Sequence, residues 1–164
     1  MEPYMSSDLG QLRHALQNQN ISNSEARQQI LQCCLADLKI QQVGLWLFTD
    51  DDLLRCEMLL DKDTGFSQEP LLIDRWSFPG YFAALDQKKV IRAVDAQNDP
   101  ATKDLTELFL KPFNIKSLLD VPIYRGDKLS GIICCEQTAV IKRWTDDEVA
   151  FVSAVADLYR SRFS

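Results

Sequence analysis

The chain has 164 residues, 18 Lys+Arg against 24 Asp+Glu, and a formal net charge of −6 at pH 7. A chain of this length buries roughly 70% of its unfolded surface in one core, and a hydrophobic share of 46% beside a charged share of 26% excludes disorder. The acidic balance argues against a nucleic-acid partner, whose affinity rests on Lys and Arg displacing counterions; the densest basic cluster is Lys142-Arg143.

Residues 1–21 form a polar, Gln/Asn-rich lead-in where Leu9, Leu12 and Leu16 recur at helical spacing, which predicts a short amphipathic or frayed helix. Met1-Glu2-Pro3-Tyr4 lacks the positive and apolar regions of a signal peptide. The longest apolar runs, 43–48 and 129–135, are far short of the ~20 residues of a membrane helix. No membrane contact and a cytoplasmic setting are therefore expected, with the main domain at 22–164.

Ser22-Asn23-Ser24-Glu25 fits a capping box, and the helix it opens carries Ile30, Cys34 and Leu38 on one stripe before ending near 39–41. Residues 43–48 read as a buried strand, 49–52 as a polar turn and 53–60 as the returning strand of a hairpin. A loop over 61–69 and a short third strand over 70–76 follow. Pro79 suits the first turn of a helix running to about 87. Residues 90–94 form another strand. Asp99-Pro100 then marks the N-cap and first residue of a helix to about 111.

After a break at 112–115, strands 117–124 and 128–137 are joined by Arg125-Gly126-Asp127 as a second hairpin. A second capping box, Thr145-Asp146-Asp147-Glu148, opens the last helix, 145–163, with Trp144 and Val149 at the staple positions. Its stripe, Val149, Val152, Ala156, Tyr159 and Phe163, stays apolar to the end without a closing cap. That pattern predicts continuation into a further segment or a dimerising end. Two hairpins with helices before, between and after them imply an α+β fold with an antiparallel sheet.

In combination these segments resemble a GAF domain, the small-molecule sensor module of signalling proteins, over about residues 24–163. The resemblance rests on the strand 90–95 ending in Asp95, on Ser117-Leu118-Leu119-Asp120-Val121-Pro122-Ile123, and on Gly126 in the hairpin. Leu129-Ser130-Gly131-Ile132-Ile133 carries it further, as does Trp144-Thr145-Asp146-Asp147-Glu148 leading into Phe151, Ala154 and Ala156. It implies a six-stranded antiparallel sheet with the terminal helices on one face and a ligand pocket under inserted helices on the other. It also implies a homodimer through the N- and C-terminal helices and an output domain such as a histidine kinase or diguanylate cyclase, in two-component or cyclic-di-GMP signalling. Ligand occupancy would bias helix packing, which is a coupling free energy between two sites.

Catalytic and cofactor chemistry finds little support. The single histidine, His14, lies in the lead-in and reads as a solvated helix residue, so neither a Ser-His nor a Cys-His nucleophile assembles. Haem lacks its histidine, and bilin lacks the Cys-His dipeptide of the GAF carriers. The cyclic-nucleotide members' Asn, Lys, Phe, Asp-Glu constellation is matched imperfectly by Gln137, Lys142, Trp144 and Asp147-Glu148, which also read as a helix cap. Cys33, Cys34, Cys56, Cys134 and Cys135 contain no CxxC, and read as buried reduced thiols. Asp61-Lys62-Asp63-Thr64-Gly65 is a turn, since Phe66 and Leu72 stand where a calcium loop needs Gly and Glu. No cofactor, metal or catalytic residue is assigned.

What remains is a pocket. Arg75, Trp76, Phe78 and Tyr81 gather a guanidinium and aromatics within a few residues, and Arg92, Asp95 and Asp120 stand at strand ends. Arg75 and Arg92 near one cleft would favour an anionic ligand; alternatively, the aromatics fill the core. The expected function is a non-enzymatic regulatory sensor. The alternatives are a ligand-free dimerisation module, or a thiol-dependent free-methionine-sulfoxide reductase on the same fold using Cys134 or Cys135.

Overall fold

The computed structural model describes residues 4–68 and 71–163, so Met1-Glu2-Pro3 and the expected strand start at Pro70 lie outside the described residues. Helices α1 (Tyr4–Gln17) and α2 (Asn23–Leu38) come first. Ser22 caps α2, its Oγ accepting the Glu25 N–H at 3.0 Å, as the capping box predicts. Lys39 closes α2 in the left-handed region (φ 55°), donating its N–H to the Leu35 carbonyl. The lead-in is thus helical, and Leu12 and Leu16 are buried in the same core as α2.

Strands β1 (Gln42–Phe48) and β2 (Leu54–Asp61) form the first hairpin. The segment expected as a loop supplies β3 (Gly65–Ser67), turned back on β2 by Gly65 at φ +86°. The expected third strand contracts to β4 (Leu72–Ile73). After α3 (Pro79–Asp86) and β5 (Ile91–Ala93) come β6 (Ile115–Arg125), β7 (Lys128–Thr138) and α4 (Asp146–Phe163). Thr145 and Glu148 complete a reciprocal box at the start of α4, with N–H···O distances of 2.9 and 3.1 Å.

The sheet runs β3-β2-β1-β7-β6-β5, with β4 also on β2, and every pairing is antiparallel. Helices α1, α2 and α4 cover one face and the segment from α3 to residue 113 covers the other. Residues 103–110 depart from expectation. Asp99 does cap the backbone at Ala101 (2.9 Å), yet a 3-10 turn (Lys103–Leu105) and a π turn (Thr106–Leu110) replace a regular helix. The Lys111 N–H reaches the Thr106 carbonyl at 2.8 Å, an i→i−5 bond that widens the turn.

The stripe of α4 is covered within the chain. Val152, Ala156 and Tyr159 are buried, and Phe163 stacks on Tyr159 at 4.4 Å between the guanidinium groups of Arg27 and Arg162. Self-association therefore cannot be argued from an open stripe here, because α1 and α2 already occupy it. Arg162 adds a clamp: it donates to the carbonyls of Leu16, Asn18 and Ile21, holding the α1–α2 connection to the end of α4. No helix among the described residues is long and apolar enough to cross a membrane.

Candidate functional site

Alternation along the strands decides what faces each side. On β7, Ile133 and Cys135 join the helix-side core while Ile132 and Cys134 join the other; on β6, Leu119 and Val121 separate from Leu118 in the same way. On β2 the phase changes. Register slips between Leu45 and Trp46, so that Leu45 pairs with Met58 but Trp46 with Cys56, leaving Glu57 as a bulge. Met58 and Leu60 consequently face the helices, while Leu54, Cys56 and Leu59 face the opposite side.

On that opposite side lies a cavity of about 250 Å³. Its floor is the sheet: Gln42, Trp46, Cys56, Leu59, Leu118, Cys134 and Glu136. Its cover is the 3-10 and π segment, through Leu105, Phe109, Leu110 and Phe113, with Tyr81 and Ile73 at the sides. Gly44 makes room on the floor, because a Cβ there would lie 2.9 Å from Trp46 Nε1 and 3.2 Å from Leu59 Cδ1. Asp104 ties the cover to α3, its Oδ2 accepting the Gly80 N–H at 2.6 Å.

Two carboxyl groups lie on this side of the sheet, Glu136 lining the floor and Asp120 behind Tyr81 and Cys134. Asp120, 1% exposed, accepts the Tyr81 hydroxyl proton on Oδ2 at 2.5 Å, and its Oδ1 is buried without a hydrogen bond of ordinary geometry. Burial pushes Asp120 up to about 6, partly offset by the Tyr81 hydroxyl and the Cys134 thiol. Glu136, across the β1–β7 pair from Gln42, accepts a short hydrogen bond from the Gln42 amide. Desolvation pushes Glu136 to about 7, with Asp120 adding repulsion and Gln42 and Cys134 opposing it.

Four of the thiols are held in their protonated, weakly nucleophilic form. Burial pushes Cys56 to about 12, and drives Cys34, Cys134 and Cys135 well above the ordinary range. Cys134 and Cys56 both face the cavity but on β7 and β2, with β1 between them. Two strand spacings, about 10 Å, separate them, beyond the roughly 7 Å that a disulfide spans. Cys135 points to the helices, as alternation predicts. His14 is exposed on α1, and no group among the described residues is arranged to hold a metal ion.

Of the residues read from the sequence, the structure brings together Tyr81 and Asp120, with Phe78 buried nearby against Phe109 at 5.7 Å. The others lie elsewhere. Trp76 is 93% exposed. Arg75 sits over Phe82 and Phe48, clamped by Asp52 (2.6 Å) and Asp86 (2.7 Å), which hold its charge firmly. Arg92 lies between Ile91 and Ala93, both on the cavity side, so its own side chain projects towards α4. There it meets the Trp144 carbonyl and Asp146. Asp95 is an exposed turn residue accepting from Asn98 at 2.9 Å.

The two arginines therefore lie on opposite faces of the sheet, and the expectation of an anionic ligand loses its basis. Alternation within 91–93 carried that information. The same rule would have found Glu136, two residues beyond Cys134 on one strand. The imperfect cyclic-nucleotide set is structural on the helix side: Lys142 pairs with Glu148 at 2.9 Å, and Trp144 is buried with its Nε1 donating to the Ala93 carbonyl.

An antiparallel sheet with terminal helices on one face and a covered cavity on the other defines an α+β module with its internal cavity on one side. The chain belongs to the GAF domain family, whose model matches residues 24–161. Among solved structures it is similar to the phycoerythrobilin-bound GAF domain from a cyanobacterial phytochrome. That pair has TM-score 0.79 and 16% identity, covering 99% of this chain and 95% of the other. The GAF domain from Acinetobacter phosphoenolpyruvate-protein phosphotransferase matches with TM-score 0.75 at 10% identity, covering 98% and 93%. Cyanobacteriochrome receptor PixJ matches at 0.69 and 15%, covering 94% and 95%. No curated protein matches the chain in sequence.

Proposed function

We propose that the chain is a regulatory sensor module that binds a small molecule in the cavity and acts by binding rather than by catalysis. The observation that carries this reading is the cavity of about 250 Å³ itself, apolar but for a few convergent polar groups and roofed by an irregular segment. A ligand-free dimerisation module would fill that space with side chains. The volume lies below the ~300–1,000 Å³ of pockets for drug-sized ligands, so the ligand is small. The similar GAF domain from a cyanobacterial phytochrome is phycoerythrobilin-bound, but this chain has no Cys-His dipeptide, and its cavity is too small for a tetrapyrrole.

The relay runs through the sheet. Strands β6 and β7 carry cavity residues on one face and α4 contacts on the other, so a ligand that shifts them shifts α4 packing. Passage of that shift to a partner copy through α1 and α4, and to an output domain such as a histidine kinase or diguanylate cyclase, completes the signalling role. The buried thiols of Cys34, Cys56, Cys134 and Cys135 suit a cytoplasmic setting. Native mass spectrometry of freshly purified protein, repeated after denaturation, tests the reading. The expected result is a mass excess that denaturation removes. Failure of every small-molecule screen to raise the unfolding temperature would overturn it.

A further inference from the structure

Taking the cavity as a ligand site, we infer that it selects a small organic amine, whose ammonium pairs with Glu136 while its apolar body lies against Trp46, Leu59 and Phe109. The first argument is charge. Among the described residues, Glu136 is the carboxylate that lines the cavity, and no Lys, Arg or His lines it. Its neighbour is the neutral amide of Gln42. Three cations near the sheet are engaged elsewhere: Arg75 with Asp52 and Asp86, Arg92 with Asp146, Lys142 with Glu148.

A carboxylate in an apolar site without a counter-cation is costly, and either takes up a proton or pairs with a cation from outside. Asp120 adds to the effect. It lies behind Tyr81 and Cys134, its Oδ1 buried and without an ordinary hydrogen bond, so the two acids, when ionised, set a negative potential that only neutral donors, Tyr81 and Gln42, offset. The second argument is the wall chemistry. Trp46, Tyr81, Phe109 and Phe113 surround the space, and aromatic faces attract ammonium groups through their quadrupoles. An anion would meet Glu136 with repulsion, and a purely apolar ligand would leave that carboxylate unpaired.

The groups facing Glu136 are Asp120 on β6, Cys134 on its own strand, Cys56 on β2, Tyr81 on α3 and Gln42 on β1. With Glu136 titrating near 7, pairing with an ammonium at pH 7 fixes it ionised and releases about half a proton.

Titration calorimetry of the full chain with phenethylamine, 2-phenylethanol and phenylacetate tests this. These probes share a phenyl group on a short chain and differ mainly in head-group charge. Phenethylamine is expected to bind at least tenfold tighter than the alcohol, with phenylacetate weakest. Glu136→Gln is expected to abolish the amine's advantage and leave the alcohol unchanged. Should that variant not fold, wild-type titrations in two buffers of different ionisation heat report the proton, about half released with the amine and none with the alcohol. Equal binding of amine and alcohol, or strongest binding of phenylacetate, overturns the amine while leaving the cavity reading intact. No binding by any of the three overturns the amine as well, and the cavity reading then stands or falls on the unfolding-temperature screen.

Discussion

The helix-facing and cavity-facing sides of the sheet are made from alternate residues of the same strands, yet they are built to different standards. Towards the helices, Val43, Leu45, Met58, Leu119, Val121 and Ile133 meet Ile30, Leu31, Phe151 and Val152, an almost wholly apolar contact. Towards the cavity, Cys134 and Leu118 share their side with Asp120 and Glu136, and the cover is an irregular turn. Close packing stabilises the first face, whereas empty space and unpaired acid destabilise the second. Stability and binding are thus separated by two-residue periodicity within one sheet.

Truncation tests that contrast most strongly. Phe151→Ala, in the helix-side core, is expected to cost ~3–5 kcal/mol, and Leu59→Ala, on the cavity floor, no more than about 2 kcal/mol. Denaturant titrations measure both. Equal costs would mean that the cavity side is packed as tightly as the other.

Asp120, buried, and Glu136, half-buried at the cavity, make the next largest difference, and its sign follows from their titration. Asp120 near 6 and Glu136 near 7 both stand above their ordinary 3.8 and 4.5. Between about pH 4 and pH 7 the folded state therefore holds more protons than the unfolded chain. Their contribution is fully present below that window and is lost as pH rises through it. Unfolding free energy is expected to be higher at pH 5 than at pH 8 by ~2–4 kcal/mol. Asp120→Asn should flatten that slope and stabilise the protein at pH 8, which urea titrations at both pH values would show.

Smaller effects sharpen the geometry. Gly44→Ala places a methyl against Trp46 and Leu59; a cost of about 1–2 kcal/mol is expected from overpacking, together with weaker binding of any cavity ligand by calorimetry. Arg75→Ala should cost under about 1 kcal/mol, since its ion pairs are at the surface. Trp76→Ala should leave both stability and binding unchanged, because the side chain is 93% exposed. A loss of ligand binding in either variant would return these two residues to the site.

Much of the architecture is local information and could be read from the sequence. Capping boxes at Ser22 and Thr145, the two hairpins, Pro79 opening α3 and the α+β order all depend on neighbouring residues, so short-range patterns sufficed. So did the opposite facing of Cys134 and Cys135. The failures are of another kind. A helix was expected over 100–111 because Asp99-Pro100 caps one, but packing of Leu105 and Leu110 over the sheet draws the chain into 3-10 and π turns. The aromatic cluster at 75–82 was read as one unit, yet the chain turns there, burying Phe78 and Tyr81 and leaving Trp76 outside.

What the sequence by itself determined is most of the elements, their order, and the acidic character of the chain. What only the tertiary structure decided is which of two faces each strand residue serves and where empty space remains. The bulge at Glu57 reverses the facing of half of β2 through its register with β1, and Glu136 becomes a cavity residue because β7 lies between β1 and β6. Register and void are properties of pairs of distant segments, so no local pattern contains them.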